Sequence, residues 1–150
     1  MTSLIAAIRP DSWNFPLLLH IAGAAVLFGT VVTATSATLT ADRTAHPDLL
    51  RRIAFRSLLI VGLPAYILMR VGAEWIYSKE FGDTDDDPAW IGIGYIVADL
   101  GLLVFLIALV LAGIASWKRR SGVGKAAGFL GVLLLVAMVV AVWAMGAKPD

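Results

Sequence analysis

The sequence predicts an all-α integral membrane protein, a four-helix up-down bundle with both termini on the outer side. Three observations predict it. The chain of 150 residues is 59% apolar and only 15% charged, whereas a soluble domain is roughly 45–50% apolar. Its apolar residues fall into four long blocks, each sufficient for the about 20 residues that carry a helix across a bilayer. The links between the blocks alternate in charge. Helices are required rather than strands, because backbone groups in lipid must be satisfied within the segment. The alternating ten-residue pattern of a membrane barrel is absent from the sequence. The length fits a single domain over 1–150.

The stretch Met1 to Phe15 lacks the basic start of a secretory signal, and Arg9-Pro10-Asp11 interrupts its apolar run. It is expected to stay on the chain and lie at the membrane surface. The first span runs over 15–39, with Pro16 suited to a first helical turn. Hydroxyls from Thr30 to Thr40 are expected to bond their own helix or a neighbour. The second span, 55–77, contains Pro64, which should kink it and free a carbonyl. The third, 89–116, opens with Asp87 as a cap and Pro88 at the first helical position. It is long enough to require tilt. The fourth covers 124–146, where Gly124, Gly128 and Gly131 form a small surface. Such a surface allows close backbone approach, within the bundle or between protomers.

Orientation follows from the links. Arg43, Arg51, Arg52 and Arg56 lie between spans one and two, and Lys118, Arg119, Arg120 and Lys125 between three and four. The middle link sets Lys79 against Glu80, Asp83, Asp85, Asp86 and Asp87. Basic residues concentrate on the cytoplasmic side, which places the two basic links inside. Trp13, Trp75, Trp90 and Trp143 then mark outer ends and Trp117 an inner one, as an aromatic belt requires.

Several chemistries are set aside. A net charge of +1 offers no basic face for nucleic acid. The absence of cysteine removes disulfides, thiolate metal sites and thiol redox chemistry. No metal-ligand spacing appears, and the acidic run Asp83 to Asp87 lacks the glycine and glutamate of a calcium loop. No serine accompanies His20 for a Ser-His-Asp arrangement. No catalytic residues are therefore assigned.

The polar side chains inside the spans are the candidate site: His20, Arg70, Glu74 and Asp99, with Tyr66 beside them. By helical rise His20 lies roughly 7 Å and Arg70 roughly 10 Å below the outer boundary, with Asp99 about 15 Å in. A charge at the centre of the bilayer costs at least about 2.5–3.5 kcal/mol, and ionisable residues within a span mark a functional site by default. Arg70 stays charged, so it is expected to pair with Asp99 as the deeper partner and with Glu74 one turn away. His20 and the hydroxyls of Tyr66 and Tyr95 complete a buried, outward-biased network.

The leading expectation is a non-enzymatic or accessory subunit of a larger membrane assembly, without a cofactor. Its partners would be the lipid bilayer and other membrane subunits, or further copies of itself. One alternative is a haem-binding or proton-coupled redox protein using His20, with Met69 or Met138 as a second ligand. Another is a small oligomeric transporter in which Asp99, Glu74 and His20 titrate.

The stretch Leu19-His20-Ile21-Ala22-Gly23-Ala24, followed by Phe28-Gly29, resembles the first helix of several bacterial membrane families. These are uncharacterised four-helix predicted integral membrane proteins, copper-resistance D-type domains and HemJ-type protoporphyrinogen oxidases. The likeness is confined to the first span. It implies a protein of the bacterial cytoplasmic membrane, and in the haem-linked family it implies that His20 binds haem. The copper-linked family implies further His, Met or Cys ligands on the outer side, which this chain largely lacks.

Overall fold

The computed structural model describes residues 11–82 and 89–147. Among them the chain forms α1 (Asn14–Thr40), α2 (Pro47–Ser57), α3 (Leu63–Glu80), α4 (Ala89–Lys118) and α5 (Ser121–Ala147). Short 3-10 turns flank α1 at Asp11–Trp13 and Ala41–Arg43. A π-turn, Leu58–Gly62, joins α2 to α3 without a break. Four of the resulting rods are long and apolar enough to cross a membrane. The proposed cap Asp87, Pro88, the acidic run and the first ten residues lie outside the described residues.

The second rod begins at Pro47 rather than near residue 55. Proline at the first helical position sacrifices no hydrogen bond, and the charges beyond it do not stop the helix because they fall on separate faces. Arg51, Ala54 and Leu58 are buried, while Arg52 and Arg56 are exposed. Just before Pro64 the helix widens into the π-turn. The proline ring would collide with the carbonyl four residues earlier, that of Ile60. The Leu63 amide instead reaches back five residues to Leu58, and the widened turn removes the clash.

Helix α1 is the centre of the packing, set against α2, α3 and α5, while α4 packs on α5 and α2. Leu27, Val31, Tyr66, Phe105 and Leu134 fill the core between them. In an apolar solvent such contacts depend on backbone proximity, and two glycines provide it. A Cβ on Gly72 would fall 2.5 Å from the His20 amide nitrogen, and one on Gly23 2.5 Å from that of Met69. The α1 and α3 backbones therefore touch directly. Gly128 and Gly131 receive Leu39, Thr38 and Thr35 of α1, so the small surface of the fourth span is used within the bundle. The hydroxyls of Thr30, Thr33, Thr38 and Thr40 donate to carbonyls of their own helix.

Among the described residues α3 and α4 make at most weak backbone contact. Their link carries the acidic run, and that end of the bundle is called the acidic end below. The end bearing the α1–α2 and α4–α5 links is the basic end.

Candidate functional site

Helix α3 carries Tyr66, Arg70 and Glu74 at intervals of four, which stacks them on one face. That face looks across the gap toward α4. Arg70 Nη2 lies 3.0 Å from Glu74 Oε1 and 3.0 Å from Asp99 Oδ1. Its guanidinium carbon sits 4.8 Å from the centre of the Tyr95 ring, within cation–π reach. The Tyr95 hydroxyl donates to Glu74 Oε2 at 3.0 Å, and that of Tyr66 to the Ala98 carbonyl at 2.5 Å. Polar side chains thus bridge α3 and α4.

The cluster is less enclosed than the sequence implied. The side chain of Arg70 is 30% exposed, that of Glu74 49% and that of Asp99 66%. With little α3–α4 packing to cover them, both carboxylates emerge on the flank of the bundle. With both ionised, one cation faces two carboxylates, a net charge of −1.

His20 stands apart from this cluster. Its Nδ1 lies 3.0 Å from the Met69 carbonyl oxygen, across the contact that Gly72 and Gly23 create. A carbonyl only accepts, so Nδ1 donates, and in the tautomer that carries its proton there Nε2 is an acceptor.

Behind the Arg70 cluster is a cavity of about 330 Å³ with walls from α1, α3, α4 and α5. Most of its lining is apolar, and His20, Tyr66, Arg70 and Tyr95 are among its polar side chains. Aromatic rings crowd its acidic end. Tyr77 packs against Phe81 at 5.8 Å and Tyr95 at 5.5 Å, and Phe81 against Trp90 at 6.1 Å. Towards the basic end the bundle tightens. A void between Val31, Thr35 and Phe105 measures about 10 Å³, hardly room for one water.

A haem, which the first-helix resemblance implies, meets a mixed reception. His20 Nε2 is a suitable axial donor and Met138 also lines the cavity, but Met69 adjoins His20 on the same wall. The charged residues of the lining are Arg70 and Glu80, and Arg70 is already held by two carboxylates. Two haem propionates would add negative charge to a cluster that is already negative, so the charges do not fit the group.

Sequence reasoning missed a second ionic cluster, at the basic end. Arg51 is 6% exposed and joins Asp42 at 2.5 Å and Asp48 at 3.3 Å. Lys125 from α5 bonds Asp42 at 3.2 Å, and Arg119 bonds Asp48 at 3.2 Å. The cluster ties α2 to the turn after α1 and to the start of α5. Two carboxylates within an otherwise basic link were the available signal, with Arg51 on the same stripe as Ala54 and Leu58. Among the described residues, no group of three or more His, Asp or Glu side chains is placed to hold a metal.

Comparison with family models, curated proteins and solved structures gives no match for this chain, so its function is argued from the Arg70 flank and the cavity behind it.

Proposed function

We propose that the chain is a small multi-pass membrane protein that works as a non-enzymatic subunit of a larger membrane assembly, joined to it through the α3–α4 flank. One observation carries this reading: Asp99, about 15 Å into its span, presents 66% of its side chain on the flank, and Glu74, one turn from the outer end of its own span, presents 49%. Carboxylates facing hydrocarbon are expensive, and a protein neighbour relieves that cost by replacing lipid with hydrogen-bond donors. The net charge of −1 favours a neighbouring helix that brings a Lys or Arg to this depth. A second copy of the chain would oppose like to like. The proposal takes the bundle as up-down in the bacterial cytoplasmic membrane, with the acidic end outward, and this rests on the charges of the links.

Mild-detergent purification from the native membrane tests it. The wild-type chain should bring stoichiometric partners, and Asp99→Asn should lose them while remaining folded and helical. A wild-type chain recovered as a lone monomer overturns the proposal.

A further inference from the structure

We infer that the cavity between α1, α3, α4 and α5 is a binding site for a membrane-borne apolar molecule bearing a hydroxyl group, which donates to Nε2 of His20.

The size is suitable. A volume of about 330 Å³ stands at the lower end of small-molecule sites, and an apolar lining with a few placed polar groups is their usual character. The route of entry narrows the class. Tyr77, Phe81, Trp90 and Tyr95 pack ring against ring across the acidic end, whereas the α3–α4 side has at most weak backbone packing to close it. That side is spanned by side chains, Arg70 to Asp99 and Tyr95 to Glu74. Lateral access favours a molecule already dissolved in lipid over one arriving from water.

The polar groups select the head of the ligand. Arg70 is occupied by Glu74 and Asp99, and the Tyr66 and Tyr95 hydroxyls donate to Ala98 and Glu74. The two hydroxyl protons are committed, and the guanidinium charge is already faced by two carboxylates, which disfavours an anionic head. His20 offers the reverse. Its Nδ1–H is fixed on the Met69 carbonyl, so the ring is oriented and presents an acceptor. A hydroxyl matches it, and an ether or hydrocarbon in the same place does not. The ligand would lie directly beneath the flank assigned to the partner, where it can pass between the two.

The full-length chain in phosphatidylcholine nanodiscs, titrated with tritiated farnesol and with its methyl ether, tests this. Saturable binding of farnesol is expected, about three- to tenfold tighter than the ether, as one hydrogen bond provides. His20→Phe should equalise the two ligands, and Ala141→Phe, which fills the cavity from α5, should abolish both. Equal affinity of the alcohol and the ether for the wild-type chain overturns the assignment. So does an absence of saturable binding by either, or a Soret band in the chain as purified. None of these results bears on partner recovery, so the cavity and the flank fail or stand separately.

Discussion

Arg70 illustrates what spacing reveals and what it hides. The interval of four to Glu74 is visible in the sequence, because residues so spaced share a helix face, and the two are paired at 3.0 Å. The pairing with Asp99 was expected from charge and depth, and the two lie 3.0 Å apart, whereas the exposure of both carboxylates needed the third dimension. Replacing Arg70 by Ala strips a cation from two carboxylates and from the Tyr95 ring, and is expected to cost about 2–3 kcal/mol. Glu74→Gln keeps an acceptor for the Tyr95 hydroxyl, so its expected cost is about 1 kcal/mol or less. Thermal unfolding of both variants in detergent checks the order, and equal midpoints would contradict it. His20 was read as part of the same network, yet it bonds the Met69 backbone. Side-chain chemistry alone does not distinguish a carbonyl partner from a carboxylate.

Among elements, the spans were readable because apolar blocks of membrane length leave few alternatives. Their partners were not, since every helix is apolar around most of its circumference. Glycine resolves that ambiguity only through geometry. Gly72 and Gly92 look alike in sequence, but a Cβ on Gly72 meets the α1 backbone at 2.5 Å whereas one on Gly92 meets nothing within 4 Å. Gly72→Ala should therefore force α1 from α3 and destabilise by about 1–3 kcal/mol. Gly92→Ala should be neutral or stabilise by up to about 1 kcal/mol, through helix propensity. Unfolding midpoints for the pair, measured in the same detergent, provide the check. The burial of Arg51 escaped the sequence for a related reason: a charge in a link is ordinarily solvated, and only the early start of α2 draws it inward.

At the scale of the molecule, the two ends differ in kind. The basic end is tied by Arg51, Asp42, Asp48, Arg119 and Lys125, and the interior beside it is filled. The acidic end is open between α3 and α4 and holds the cavity. This polarity makes a one-sided site a better fit than a continuous transport path. Overall composition pointed to the membrane class, while the cavity was hidden because it depends on how four helices pack. Orientation is open to direct measurement, since the chain contains no cysteine of its own. With Lys79→Cys, an impermeant maleimide should label intact cells. Gly122→Cys should label only after lysis, and the opposite pattern would invert the proposed topology.

The π-turn at Leu58–Gly62 sets the phase between the two ends. One residue of α-helix turns the chain by about 100°, and the π-turn spends an extra residue before α3 begins. Deleting Val61 and restoring ordinary winding would leave Tyr66, Arg70 and Glu74 facing as they do, because the lost residue and the tightened turn offset one another. The same extra residue wound as plain α-helix would instead swing the cluster by about 100° and leave Asp99 and Ala98 behind. The π-turn thus absorbs one residue of the second span without changing where the face at the other end is aimed.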